Sequence, residues 1–149
     1  MSNKFEGVVY RLADNWFEYL DVNAYKDKQI NYLEIGAFYG ANIISVSQTY
    51  CLHKDSKLYC IDPWIDYDEY SEYKGEQSNI FNTFLSNITN YNCNDKIIIN
   101  RGFSNNELLH PFSFTHFLIE NAHWIDFRRF LYIWLFRENY SFITFVKIK

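Results

Sequence analysis

Residues 30–40 read Ile-Asn-Tyr-Leu-Glu-Ile-Gly-Ala-Phe-Tyr-Gly, an apolar run that carries Glu34 and breaks into a turn framed by Gly36 and Gly40. A second run, Lys57-Leu-Tyr-Cys-Ile, delivers Asp62 at its end, about 20 residues past the glycine turn. A carboxylate in that place can accept both hydroxyls of a ribose, so the chemistry on offer is recognition of a nucleoside. The middle of the turn narrows the ligand. A dinucleotide fingerprint puts glycine where this chain has Phe38, because the backbone must come close to a pyrophosphate there. Ala41 stands at the third glycine position, and no Gly-Lys-Ser/Thr follows to make a phosphate loop. The Glu34-x-Gly36-x-x-x-Gly40 spacing therefore suits a ligand with a ribose and no phosphate. Each residue alone has a structural use, since glycine turns a chain and aspartate caps a helix. The combination, with Pro63-Trp64 attached, points to a ligand.

The elements that must hold these groups are legible as an alternation of strands and helices. A helix is predicted over 8–20, with Val9, Leu12, Ala13, Trp16 and Leu20 on one stripe, laid over the ligand end of the fold. A helix-like run follows the glycine turn over 41–52. Residues 65–76, Ile-Asp-Tyr-Asp-Glu-Tyr-Ser-Glu-Tyr-Lys-Gly-Glu, form an acidic, tyrosine-rich connection with two readings: a solvated loop, or a lid whose tyrosines stack on a substrate. A helix over 77–91 turns Ile80, Phe81, Phe84, Leu85 and Ile88 inward. Lys96-Ile-Ile-Ile-Asn100 is a continuous apolar strand of the kind buried in a parallel sheet. A fourth strand is expected within 114–123 and a fifth over 141–147, separated by a helix over 124–138.

Glu34-Ile-Gly-Ala-Phe-Tyr-Gly40 and Tyr59-Cys-Ile-Asp-Pro-Trp64 resemble motifs I and II of class I S-adenosylmethionine-dependent methyltransferases. The likeness is nearest to the small-molecule and sugar O-methyltransferases that carry a Leu-Glu-Ile-Gly turn and an Ile-Asp-Pro-Trp strand end. The resemblance implies an α/β fold: a Rossmann-like, three-layer α/β/α arrangement with a mostly parallel five-stranded sheet, order 3-2-1-4-5. It implies one domain over 1–149, without the last two strands of the full methyltransferase fold. It also implies S-adenosylmethionine as cofactor. The turn residues Gly36, Ala37, Phe38 and Gly40 would hold its methionine part and Asp62 its ribose, with Glu34 and Asn42 also among the cofactor-binding residues. Pro63 and Trp64 would flank the adenine, together with Gly102, Phe103 and Ser104 after the third strand. Ser104 has a second reading as the cap of a short helix, with Glu107 at capping-box spacing.

Phe114-Thr-His-Phe-Leu-Ile-Glu-Asn-Ala-His123 lines up with the family's fourth strand, where an acid, a glycine and a histidine recur. Glu120 takes the acid's place, Asn121 the glycine's, and His123 matches the histidine. One glutamate makes a poor magnesium site, because oxygen ligation of a divalent cation needs several such groups. No metal is therefore expected. His123 suits a general base that removes a proton from an attacking hydroxyl, with the alternative of a hydrogen-bonded structural histidine.

Composition narrows the partners. The net charge is −4, and no basic cluster exceeds Arg128-Arg129, which argues against a surface that tracks nucleic-acid phosphates. The longest apolar run, Phe130 to Phe136, is too short to span a bilayer, so no membrane partner is expected. Cys51, Cys60 and Cys93 show no metal or redox spacing and read as reduced packing residues of a cytoplasmic protein. The broad apolar face of helix 124–138 and the edge of strand 141–147 point to a homodimer. Three functional readings remain. One is a methyltransferase acting on a hydroxyl of a small molecule or sugar. Another is a degenerate, inactive methyltransferase-like binding or interaction protein, favoured by the altered Glu120-Asn121 pair. A Rossmann-type dehydrogenase is a third, and Phe38 argues against it.

Overall fold

The computed structural model describes residues 4–9, 12–18, 20–103 and 118–120. Its centre is a parallel sheet, built because three of the four strands are apolar runs too continuous to tolerate a wet face. Strand β1 is Asn31–Ile35, followed by helix α1, Ala41–Gln48, and strand β2, Lys57–Ile61. Helix α2 is Gln77–Asn90, strand β3 is Ile97–Asn100 and strand β4 is Leu118–Glu120. The spatial order is β3-β2-β1-β4, with every neighbouring pair parallel. The expected order is met as far as the described residues reach. The fifth strand over 141–147 and the helix over 124–138, with the dimer contacts expected of both, lie outside them.

Register follows from burial. Tyr32 pairs with Leu58 and Leu58 with Ile97, while Glu34 pairs with Cys60 and Cys60 with Ile99. These side chains share one face, because strand residues two apart point the same way. Right-handed crossovers from β1 to β2 to β3 carry α1 and α2 over a single face. One core cluster there joins Tyr32, Leu58, Cys60 and Ile97 of the sheet to Ile43, Val46, Ile80, Phe84 and Ile88 of the helices. On α2 the buried positions Ile80, Phe84 and Ile88 recur every four residues, with Phe81 and Leu85 packed partly against the core. Leu33, Ile35 and Ile61 point to the opposite face and are buried too.

Helix α1 stops at Gln48, short of the predicted end at residue 52. Thr49 leaves helical geometry, and the Lys96 ammonium donates to the carbonyls of Cys51, Leu52 and His53 at 2.8–3.1 Å. A cation on the carbonyls beyond a helix end satisfies groups that have no partner within the helix.

The leading helix predicted over 8–20 is not the observed structure. Among the described residues of this stretch a single short 3-10 helix, Ala13–Trp16, forms, and a second follows over Val22–Ala24. Residues 4–9 run without helix, with Val8 and Val9 exposed. Tertiary contacts explain the difference. Gly7 takes φ +101 with its α-carbon against the Tyr39 ring, where an added β-carbon would stand 2.5 Å from the nearest ring atom. Glu6 is held by Asn87, whose side chain accepts from the Glu6 N–H and donates to its carbonyl. Downstream, the Ala13 N–H donates to Ser45 Oγ, and Trp16 packs against Tyr32 and Tyr50.

All three thiols are buried, and burial raises each pKa, that of Cys51 to about 12. The folded protein should therefore resist a thiol-specific disulfide reagent near pH 8 and titrate three thiols once unfolded. Rapid native labelling of any one of them would contradict this packing. Gly40 caps α1 at φ +85, and a β-carbon there would meet the Phe84 ring at 2.8 Å. Gly40→Ala should lower stability by about 2 kcal/mol in chemical denaturation, from left-handed strain and the displaced ring.

Candidate functional site

In an open parallel sheet, ligands bind beyond the carboxyl ends of the strands, where the strand order reverses. The order β3-β2-β1-β4 reverses between β1 and β4. The glycine turn leaves β1 at that end, Asp62 leaves β2, and residues 101–103 leave β3. At the reversal itself, Glu34 of β1 and Glu120 of β4 are register partners.

Asp62 binds the turn to the second strand. Its Oδ2 accepts the Phe38 N–H at 2.9 Å and its Oδ1 accepts the Trp64 N–H at 2.9 Å. The Trp64 indole Nε1–H returns to the Phe38 carbonyl at 3.0 Å, closing a ring of contacts among residues 38, 62 and 64. Phe38 and Trp64 both take positive φ, +51° and +41°, which is strained for side chains of this size. Burial raises the Asp62 pKa, and the N–H donors of Phe38, Trp64 and Ala37 and the charge of Arg101 oppose it. A carboxylate offers about four lone-pair sites, so acceptor capacity remains beyond these N–H donors.

The N–H groups of the turn are turned inward. Gly36 donates to the Ile61 carbonyl at 2.8 Å and Gly40 to the Ala37 carbonyl at 2.7 Å, while Phe38 is held by Asp62. Three of the donors that would cradle a phosphate thus have protein acceptors, in keeping with the exclusion of a diphosphate from the sequence.

Glu34 lies 1% exposed beneath the turn. Its Oε2 accepts the Tyr32 hydroxyl at 2.8 Å and the Asn42 amide at 2.9 Å, and the same amide donates to the Tyr32 oxygen at 2.7 Å. Glu34 and Asn42 are therefore built into a polar knot that joins β1 to α1. Ala37 is buried beside them, and Pro63 is half-buried. Trp64, expected to flank an adenine, is placed in the core. It is 2% exposed, with its ring 4.9 Å from both Phe81 and Phe84, because α2 supplies an apolar slot directly below the turn.

On the third strand's side, Gly102 donates to the Asp62 carbonyl at 3.2 Å, and Phe103 stands 40% exposed at the rim. The structure thus brings Gly36, Ala37, Phe38, Gly40, Asp62, Pro63, Gly102 and Phe103 to one end of the sheet. Ser104 and His123 lie outside the described residues, and Glu120 is placed by its backbone alone.

Three residues of this region were not singled out from sequence. Asn87 is fully buried, and its amide also donates to the Tyr39 carbonyl of the turn at 2.9 Å; a polar residue on the apolar stripe of α2 was the available signal. Arg101 lies 4.4 Å over the Phe81 ring and reaches the Trp64 carbonyl at 3.4 Å. Tyr73, within the acidic connection, packs its ring 5.0 Å from that of Phe38. No protein-family model matches this chain, and no curated protein matches its sequence.

A carboxyl whose pKa rises on folding binds more protons in the native than in the unfolded state between the two values, so stability falls as pH rises through that window. NMR titration should place the Asp62 pKa above 3.8, with stability declining between 3.8 and the measured value. A value at or below 3.8 would show that the N–H donors outweigh burial.

Proposed function

We propose that this chain is an S-adenosylmethionine-dependent methyltransferase of the Rossmann-like class, acting on a hydroxyl of a small molecule or sugar. The observation that carries the reading is the meeting of Asp62 with the glycine turn at the carboxyl end of a parallel sheet. The residues present fit the cofactor there. Asp62 retains acceptor capacity for ribose hydroxyls, and the turn offers its surface without a phosphate cradle. Phe103 and the backbone at Gly102 border the same end, where an adenine would lie. Glu34 and Asn42 act from below, holding the turn in shape rather than touching the ligand.

The cofactor supplies an electrophilic methyl on a sulfonium. The protein's task is then alignment of the acceptor oxygen and removal of its proton. His123 would be the base in this reading, taking the proton of the acceptor hydroxyl. Glu120, whose backbone pairs with Glu34 at the reversal point, would stand at the acceptor side in this reading. The fifth strand over 141–147 would complete the sheet in the order 3-2-1-4-5, with helix 124–138 as the third layer. The buried thiols fit a reducing, cytoplasmic setting. Among the described residues no helix is long and apolar enough to cross a membrane. Asn121, in place of a glycine, favours the second reading, a domain that binds the cofactor without turnover.

Isothermal titration with S-adenosylhomocysteine, against NAD as control, tests the proposal. Micromolar binding of the first alone is expected. Asp62→Ala should weaken it by about 2 kcal/mol or more, since hydrogen bonds to a charged acceptor are worth roughly 1.5–3 kcal/mol each. The thermal transition of the variant separates this loss from unfolding. Equal affinity in a folded Asp62→Ala protein, or no binding to the wild type, would remove the cofactor assignment. Binding without methyl transfer across a panel of hydroxylated acceptors would select the second reading.

A further inference from the structure

The connection between β2 and α2 is tied at its ends and pinned at two points. The Asp66 carboxylate accepts the Gly75 N–H with both oxygens, at 2.9 and 3.0 Å, drawing the ends of the segment together. Between them runs a 3-10 helix, Asp68–Tyr73. The segment is flanked by two residues of positive φ, Trp64 at +41° and Gly75 at +84°. Asp66, Ser71, Glu72, Lys74, Gly75 and Glu76 are exposed, so water bathes much of its surface.

Two aromatic contacts hold the segment to the site. Tyr73 meets Phe38 edge-on, with centroids 5.0 Å apart at 66°, and Tyr67 meets Phe103 at 5.8 Å and 76°. The two receiving rings belong to the glycine turn and to the end of β3, on either side of Asp62 in the strand order. Edge-to-face pairs of this kind are individually weak, and a segment with much of its surface in water opens more readily than the core.

We propose that residues 66–75 form a lid over the crevice at Asp62, with Tyr73 on Phe38 as its latch. This rests on the cofactor reading for the identity of the ligand; the latch itself stands on the contacts above. The lid opens to let a ribose-bearing ligand reach Asp62 and closes again on the same two rings. Tyr73 is a positioning residue in this scheme: it acts through Phe38, whose N–H is bound to Asp62.

The test compares wild type, Tyr73→Ala and Tyr73→Phe by hydrogen–deuterium exchange without ligand, then by stopped-flow binding of S-adenosylhomocysteine. In Tyr73→Ala, amide exchange over 66–76 should rise roughly two- to tenfold, the range that loss of one such ring pair allows. Exchange in α2 should stay unchanged, showing an intact fold. Association and dissociation of S-adenosylhomocysteine should both accelerate in Tyr73→Ala, and Tyr73→Phe, which keeps the ring, should match wild type throughout. Unchanged exchange over 66–76 in Tyr73→Ala overturns the latch. Faster exchange with unaltered binding rates overturns the lid while leaving the cofactor site in place. If wild type binds no S-adenosylhomocysteine, the cofactor reading falls and takes the lid's ligand with it, while exchange still decides whether Tyr73 latches the segment.

Discussion

The end of the sheet where the site forms depends on one carboxylate. Asp62 sits where two strands finish, and burial there disfavours its charge. Two backbone N–H groups aimed at its two oxygens oppose that cost, and both come from residues in left-handed conformations. A non-glycine residue in that region costs about 1–2 kcal/mol. The strain at Phe38 and Trp64 is therefore coupled to the charge at Asp62: each conformation exposes the N–H that the carboxylate requires. The indole of Trp64 closes the arrangement on the Phe38 carbonyl, so turn, strand end and tryptophan form one unit.

That unit is braced by buried polar groups joined by directional hydrogen bonds. Asn87 is inaccessible to solvent, yet it serves the Glu6 N–H, the Glu6 carbonyl and the Tyr39 carbonyl. One side chain thereby joins α2, the N-terminal segment and the glycine turn. Beneath the turn, Tyr32, Glu34 and Asn42 form a second knot between β1 and α1. Apolar contacts alone would let the turn shift over the core. Directional bonds in a low-dielectric interior leave it little choice, because any displacement strands a polar group. A turn held in this way is preorganised, which lowers the ordering cost of binding.

The parallel sheet is legible in the sequence because its signals are local. Apolar runs at 31–35, 57–61 and 97–100 bounded by polar residues give strands of the buried kind, and a four-residue recurrence from Ile80 to Ile88 gives α2. The same periodicity failed over 8–20. An amphipathic stripe is present there, but a short segment gains little from helix formation alone. Asn87 and the Tyr39 ring offer residues 5–7 a different arrangement, and Gly7 is the residue able to accept it. Glu34 shows the matching limit at the site. Its type and place suggested ligand contact, whereas its position two residues after Tyr32 on one face made it a partner for that hydroxyl.

What the sequence determined by itself is the local grammar: which stretches extend, which coil, where Gly36 and Gly40 turn the chain, and that an acid closes the second strand. These follow from sterics and from side-chain spacing, which act over a few residues. Tertiary structure decided what each polar group does. Asp62 meets Phe38 across 24 positions, Trp64 meets Phe38 across 26, and Asn87 meets Glu6 across 81. Partners so distant are selected by how strands register and helices dock, so a carboxylate's neighbours exist only once the chain has folded around it.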